Sequence, residues 1–165
     1  GVPLADLNEV GRLDLTIDGA DEVDPQLDLI KGGGGALLRE KIVASVSGRY
    51  VVVVDDGKLS PRLGSRFALP VEVVRFGWRV HVAALERLGA ASVDLRVDRG
   101  GAHVVTDEGH LILDCRFAGG IDDPPRLERE LRGLPGVVET GLFLGLASWV
   151  VVAGEGGVRV IERPG

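Results

Sequence analysis

The segment LDLTIDGADEVDPQLDLIKGGGGALLREKIVASVSGRYVVVVDD, from Leu13 to Asp56, decides the fold class. Apolar and polar residues alternate from Leu13 to Asp18, and a period of two predicts a β-strand. Residues Ala36 to Ser47 suit a helix, while Tyr50 to Asp56 form a continuous β-branched run that indicates a strand covered on both faces. Strand, helix and strand in this order form a crossover unit, so the segment predicts a parallel α/β sheet.

The second half of the chain follows a different order. The predicted elements are a strand at 71–76, a helix at 78–89, a strand at 92–97, a hairpin at 104–117, a helix at 124–134 and a strand at 136–143. This βαββαβ order is the split βαβ, ferredoxin-like unit. Residues 148–163 predict two strands that return to the first sheet. We therefore predict a Rossmann-like domain that lacks its N-terminal part, residues 1–69 and 147–165, with an inserted ferredoxin-like α+β lid domain, residues 70–146.

Composition excludes several classes of function. The 165 residues are 45% hydrophobic and 27% charged, which is ordinary for a globular protein. The formal net charge is -6 and no Lys/Arg cluster occurs, so we expect no nucleic-acid partner. No apolar run approaches the roughly 20 residues that span a bilayer, and we expect no membrane partner. An anionic substrate must then be held by local cationic groups.

Cysteine and histidine do not suggest a metal or redox site. Cys115 is the only cysteine and lies in a predicted strand, which favours a buried hydrophobic role and a reducing, cytoplasmic setting. The three histidines, His81, His103 and His110, lack metal-ligand spacing, so we predict structural roles and no bound metal. The charged segment 122–132 reads as a solvated helix face without a partner.

Four consecutive glycines, Gly32–Gly35, form what we call the glycine loop. Glycine persists where the backbone must approach something closely, and the amides that open the following helix can bind an anion or an oxyanion. A tight turn is the plain alternative, but a turn rarely needs four glycines. The loop differs from nucleotide-binding patterns, because Lys31 precedes it and Leu37 stands where a last glycine is required. NAD and ATP are therefore disfavoured.

Glu40 lies on the helix that follows the glycine loop. It shares a helical face with small or apolar residues, namely Ala36, Leu37, Val43 and Ala44. Such surroundings should raise its pKa and make it a candidate general base. A structural alternative is that Glu40 favours the positive end of the helix or pairs with Lys41.

Other charged residues surround these two features. Asp18 and Asp21 follow the first strand, Lys31 precedes the glycine loop, and Lys58 follows the next strand. Each could be a surface charge. Together with Glu40 they offer a base, partners for hydroxyl protons, and cations for an oxyanion and a phosphate. This set suits proton transfer beside the carbonyl of a sugar phosphate.

The motifs DGADEVD at 18–24, KGGGGALLREK at 31–41 and FALPVEVV at 67–74 together resemble type A ribose-5-phosphate isomerase. The similarity runs from about Asp6 to Gly157. It implies an aldose-ketose isomerase of the non-oxidative pentose phosphate pathway, which interconverts ribose 5-phosphate and ribulose 5-phosphate through an enediolate. It also implies no metal or organic cofactor, a ferredoxin-like lid, and a homodimer or tetramer.

The resemblance also implies roles for individual residues. Glu40 would carry a proton between C1 and C2, with Asp18 assisting ring opening and Asp21 supporting it. Lys31 and the loop amides would stabilise the enediolate oxygen, and Lys58 would hold the substrate at its phosphate. The implied substrate-binding set is Asp18, Gly19, Ala20, Asp21, Lys31, Gly32, Gly33, Gly34 and Lys58.

One feature departs from the family pattern. The family has an N-terminal stretch with a Thr-Gly-Ser-Thr type phosphate loop, and nothing before Asp14 resembles it. We therefore expect incomplete phosphate binding and weaker turnover than in an extended version. Two rivals remain open: a non-catalytic phosphosugar-binding regulator that has lost this loop, and a CoA-transferring enzyme whose glutamate forms a thioester. Asp18, Lys31 and Glu40 count against the regulator, because a pure binder needs no placed base.

Overall fold

The computed structural model describes residues 2–163. Its helices are α1 (Leu7–Val10), α2 (Leu37–Ser45), α3 (Arg79–Arg87) and α4 (Pro124–Arg132), with a 3-10 helix at Asp56–Lys58. Its strands are β1 (Thr16–Asp18), β2 (Glu22–Val23), β3 (Leu29–Ile30), β4 (Tyr50–Asp55), β5 (Leu69–Val73), β6 (Ser92–Leu95), β7 (Leu111–Arg116), β8 (Val137–Thr140), β9 (Leu142–Phe143), β10 (Trp149–Gly154) and β11 (Gly157–Glu162). Within this range no helix has both the length and the apolar character needed to cross a bilayer.

The predicted parallel sheet is confirmed, with the strand order β1-β4-β10-β11. Strands β1 and β10 both run parallel to β4, which lies between them, and β11 closes the edge antiparallel to β10. The return of the C-terminal strands to this sheet is also confirmed. Because parallel strands end at the same edge, the sheet places the residues after β1 and β4 on one side of the molecule.

Burial alternates along β4, so our prediction that both of its faces are covered is wrong. Tyr50, Val52 and Val54 are buried, whereas Val53 is 45% exposed and Ile17 on the neighbouring β1 is 66% exposed. Valine suits the pleated geometry of a strand whether or not its face is covered. A β-branched run therefore predicts the strand but not the layers on it.

The βαββαβ unit is confirmed as a four-stranded sheet with the order β6-β7-β5-β8. All neighbouring strands are antiparallel, and helices α3 and α4 contribute buried leucines to its core, namely Leu85, Leu127 and Leu131. The predicted hairpin at 104–117 is wrong in its first arm, which makes one isolated bridge, from Val105 to Leu111. Strand β7 instead pairs along its length with β6 and β5.

The predicted strand at 136–143 is divided at Gly141. Residues before it form β8 in the lid sheet, and residues after it form β9, which pairs with β3 in a small sheet of order β2-β3-β9. The Lys31 amide donates to the Gly141 carbonyl at 2.9 Å, and the Gly141 amide donates to the Pro70 carbonyl at 2.7 Å. Gly141 thus joins the two sheets beside Lys31. The proposed domain limits, after residues 69 and 146, stay a prediction.

Replacing Gly141 with alanine should destabilise the protein. A Cβ atom there would overlap the Lys31 carbonyl oxygen and lie 2.7 Å from Cδ of Pro70. Overpacking of the added methyl group against the Lys31 carbonyl and the Pro70 ring should lower the free energy of unfolding by about 2 kcal/mol, measured by urea denaturation. The control is Gly156→Ala, because a Cβ at Gly156 meets nothing within 4 Å. Equal stability of the two variants would contradict the close approach at Gly141.

Candidate active site

The ammonium group of Lys31 lies at the centre of the site. Its side chain is only 4% exposed. Nζ donates to the Gly19 carbonyl at 2.6 Å and lies 2.9 Å from Oδ2 of Asp18 and 3.6 Å from Oε2 of Glu40. A buried ammonium without such partners would be costly. Lys31 therefore links the end of β1 to helix α2, although these elements are separate in the sequence.

Asp18 is held as a carboxylate. It accepts hydrogen bonds from the Tyr50 hydroxyl at 2.7 Å and the Gly19 amide at 2.7 Å, besides its contact with Lys31. Partial burial of the carboxyl opposes ionisation, but the hydrogen bonds from Lys31 and Tyr50 outweigh it and lower the pKa of Asp18 below its ordinary value. An ionised acceptor at this position can receive a proton or a hydrogen bond from a hydroxyl group.

Glu40 behaves in the opposite way. Burial is the main cause that raises the pKa of its carboxyl; Lys31 opposes the rise and Asp18 adds to it. The direction predicted from the apolar helical face is thus confirmed, and Leu37 and Ala44 of that face are buried. Across residues 2–163, no group donates a hydrogen bond to the buried Oε2 atom of Glu40. A carboxylate with a raised pKa and an acceptor atom free of donors has the properties that a general base needs.

The glycine loop is shaped by Asp21. The Gly33 amide donates to Oδ2 of Asp21 at 2.7 Å, and a Cβ at Gly33 would lie 2.7 Å from Oδ1 of the same carboxylate. Gly32 and Gly35 have φ angles of +103° and +88°, which favour glycine. Around Gly34 a Cβ would meet nothing within 4 Å. Three of the four positions therefore require glycine for a conformational or steric reason, and the fourth, Gly34, borders open space.

The structure brings most of the predicted site residues together. Asp18, Gly19, Lys31 and Glu40 meet around one ammonium group, and Asp21 joins them through Gly33. Lys58 is half-buried in the 3-10 helix after β4 and makes no ion pair within the described residues. Its assignment to a phosphate stays a prediction.

Sequence reasoning missed Tyr50 and Phe143. Tyr50 is 1% exposed and donates to Asp18, and the phenol's burial together with that bond raises its pKa strongly. Lys31 Nζ lies 5.6 Å from the centroid of the Phe143 ring. One signal was available for Tyr50, the only tyrosine in the chain, since a buried phenol hydroxyl usually requires a hydrogen-bond partner. Phe143 gave no comparable signal, because it reaches the site from a distant strand.

Lys41 does not pair with Glu40. Its Nζ lies 2.7 Å from Glu139 and 3.4 Å from Glu128 and donates to the Thr140 carbonyl at 2.8 Å. Glu128 belongs to α4 and is mostly buried, so the prediction that the charged face of this helix is solvated is wrong at Glu128. The charge pattern of α4 could not distinguish a solvated face from one that pairs with a mostly buried lysine.

The remaining candidate groups have structural surroundings. Cys115 is buried in the lid core, where burial raises the pKa of its thiol. Nε2 of His81 lies 2.9 Å from the Pro135 carbonyl, and Nδ1 of His110 lies 2.9 Å from the buried Glu72 carboxylate. Over the described range, no three His, Cys, Asp or Glu side chains are grouped so that they could hold a metal ion.

The chain matches the family described as ribose 5-phosphate isomerase A (phosphoriboisomerase A) over residues 1–157. It is 57% identical to ribose-5-phosphate isomerase A of Chloroflexus aurantiacus over 159 residues, which are 96% of this chain and 66% of that protein. It is 55% identical to the Bradyrhizobium diazoefficiens protein of the same name, covering 99% of this chain and 70% of that one. The chain thus spans about two thirds of these relatives' length.

Solved structures share the fold. A D-ribose-5-phosphate isomerase in complex with phospho-erythronic acid superposes with a TM-score of 0.93 at 40% identity, covering 98% of this chain and 70% of that one. Ribose 5-phosphate isomerase A of Methanocaldococcus jannaschii gives a TM-score of 0.90 at 39% identity, with the same coverage. The parallel sheet and its lid sheet are therefore the architecture of these isomerases.

The substitution Tyr50→Phe should raise the pKa of Asp18, because it removes a donor to the ionised carboxylate. The loss should cost about 1 kcal/mol of unfolding free energy at neutral pH. A lowered carboxyl pKa stabilises the fold above the pKa of the unfolded chain, so the difference from wild type should shrink as pH falls through the folded-state pKa of Asp18. Carbon-13 NMR titration measures the pKa, with Asp24 as internal control. A Tyr50→Phe effect on stability that persists unchanged in acid would contradict this role.

Proposed function

The chain belongs to the ribose 5-phosphate isomerase A family, and we propose that it interconverts ribose 5-phosphate and ribulose 5-phosphate. The observation that carries the proposal is the pairing of Glu40 with the buried ammonium of Lys31, at 3.6 Å. Aldose-ketose isomerisation requires a base for a carbon-bound proton and a cation for the oxygen that gains charge. Both requirements are met by these two side chains.

Glu40 is proposed to move the proton. In the open-chain aldose it would remove the proton from C2, which leaves an enediolate. A hydroxyl proton would then move from O2 to O1, with Asp18 as its carrier, and Glu40 would return its proton to C1 to form the ketose. A carboxylate of raised pKa suits both steps, because it takes a proton more readily than an ordinary one and still gives it back. No cofactor is required, since the reaction moves protons without net oxidation.

Lys31 and the glycine loop are proposed to stabilise the enediolate oxygen. The ammonium is held in place by Gly19 and Asp18, so it need not reorganise as negative charge develops. Asp18, held ionised, would accept the hydroxyl proton that must leave for the sugar ring to open. Asp21 supports the site through Gly33, and Lys58 would contribute to binding the phosphate.

A catalytic role explains the site better than binding alone. A buried carboxylate oxygen without a hydrogen bond lowers stability, and a regulator that only binds phosphosugars gains nothing from it. A CoA-transferring enzyme would also use a glutamate, but hydroxylamine would then trap an acyl intermediate in the presence of an acyl-CoA. We expect no such trapping.

We also propose a homo-oligomer that works in the cytoplasm. Phe76 and Val80, near one end of the lid sheet, are 93% and 71% exposed, and covering them in a subunit contact would remove apolar surface from water. The single buried cysteine fits a reducing compartment. Light scattering coupled to size exclusion would measure the mass in solution, and a monomer at micromolar concentration would contradict the proposed homo-oligomer.

The substitution Glu40→Gln should abolish exchange of solvent deuterium into ribose 5-phosphate. Removal of a general base typically costs about 100- to 10,000-fold in rate, and a glutamine keeps the size of the side chain. The matched control is Glu86→Gln, which changes an exposed glutamate on α3 and should exchange at the wild-type rate. Exchange that survives in Glu40→Gln, with ligand still bound, would remove Glu40 from the mechanism.

The acid limb of the pH dependence should lie above the ordinary glutamate pKa of 4.5, because burial raises the pKa of Glu40. Protonation of Glu40 removes the base, so kcat/KM should fall as the pH drops through this raised value. Carbon-13 NMR titration of Glu40 without substrate measures the pKa independently of the substrate phosphate. A limb below 3.8, the ordinary aspartate value, would instead indicate a group with a lowered pKa, such as Asp18.

A further inference from the structure

Arg96 connects the lid to the glycine loop. It lies directly after β6, and its side chain is only 13% exposed. One terminal nitrogen, Nη1, donates to the Gly32 carbonyl at 2.6 Å and to the Gly33 carbonyl at 3.1 Å. The loop carbonyls are thus held by a residue that lies 64 positions away in the sequence.

Asp114 holds the other side of the Arg96 guanidinium. Nε donates to Oδ2 of Asp114 at 2.8 Å, and Nη2 donates to Oδ1 at 2.5 Å. This two-bond pairing fixes the plane of the guanidinium and compensates its charge. Because Asp114 lies on β7, next to β6, the lid sheet sets where Nη1 points. Arg96 is therefore oriented before any substrate binds.

The contacts of Arg96 determine which way the loop amides face. In a trans peptide unit the C=O and N–H bonds point in opposite directions. The unit between Gly32 and Gly33 is held at both ends, since Arg96 binds its oxygen and Asp21 accepts from its N–H. In the next unit Arg96 binds the Gly33 oxygen, so the Gly34 N–H must point away from the lid.

The Gly34 N–H has no acceptor among the described residues. The space around Gly34 is open, because a Cβ built there meets nothing within 4 Å. An amide that is aimed by its own peptide unit into open space, in the loop between Lys31 and the helix that carries Glu40, has the arrangement of an oxyanion-hole donor.

We propose that Arg96 is a positioning residue that orients the glycine loop, so that the Gly34 amide donates to the charged oxygen of the enediolate. Asp114 fixes the guanidinium of Arg96 in the orientation that this role requires. The kinetic part of the inference rests on the proposed isomerase function, whereas the orientation of the loop does not. Arg96 itself does not touch the reacting atoms; it acts through the backbone of the glycine loop.

A donor that acts on the enediolate contributes mainly when charge develops. Loss of Arg96 should therefore lower kcat and change KM little, because substrate in its ground state carries no charge on that oxygen. Misplaced donors can cost about 100-fold in rate, and we expect a loss of that order in Arg96→Met. Arg96→Lys should not restore the rate, because one ammonium cannot replace the planar set of donors.

Hydrogen exchange of the full chain without substrate tests the orientation. In Arg96→Met the amide protons of Gly33, bonded to Asp21, and of Gly35, bonded to the Gly32 carbonyl, should exchange about tenfold faster than in wild type. The matched control is Arg39→Met. Arg39 also joins α2 to the lid, through Asp107 and Glu108, but its side chain is 56% exposed and neither of these ion pairs involves the glycine loop.

The outcomes distinguish the positioning role of Arg96 from the proposed isomerase function. Unchanged exchange of Gly33 and Gly35 in a folded Arg96→Met variant would overturn the positioning role, whatever the activity. Faster exchange with an unchanged kcat would overturn the link from the loop to the enediolate. A wild-type chain that does not isomerise ribose 5-phosphate would reject the proposed function, while the exchange result would still decide the orientation. If Arg96→Met does not fold, the same exchange and kcat measurements are made on Arg96→Lys, which keeps the charge but not the planar set of donors.

Discussion

A buried ammonium group is the constraint on which the rest of this structure depends. Lys31 is almost fully removed from water, so its charge must be met by protein groups. The Gly19 carbonyl and the Asp18 carboxylate meet it directly, and Glu40 lies just beyond hydrogen-bond distance. Satisfying one cation therefore fixes the end of β1, the loop that follows it and the first turns of α2 relative to one another.

The two carboxyl groups beside this ammonium have pKa values shifted in opposite directions. Asp18 accepts several hydrogen bonds, which lower its pKa despite its partial burial. Glu40 has lost water without gaining a donor at Oε2, so burial dominates and its pKa rises. Neighbouring groups whose environments move their pKa values apart can divide acid-base work between them. The difference arises from hydrogen bonds, since both residues are carboxylic acids beside one lysine.

The lid is part of the site and not only a cover for it. Gly141 lies between the Lys31 backbone and Pro70, and Lys41 binds the Glu139 carboxylate and the Thr140 carbonyl. Consecutive residues of α2 thus serve different partners, because Glu40 faces the ammonium and Lys41 faces the lid. Arg96 adds a third connection, to the glycine loop. Movement of the lid would disturb the lysine, the base and the loop together.

Local patterns in the sequence determined the strand, helix and strand of the crossover unit, the order βαββαβ, the glycine loop and the set of charged residues beside it. They did so because strand and helix periods, turn residues and apolar faces are properties of neighbours along the chain. Tertiary structure alone decided that β4 is covered on one face, that Tyr50 donates to Asp18, and that Arg96 holds the glycine loop. These contacts join residues 32 and 64 positions apart. They depend on strand register and packing, which one residue's neighbours in sequence do not specify.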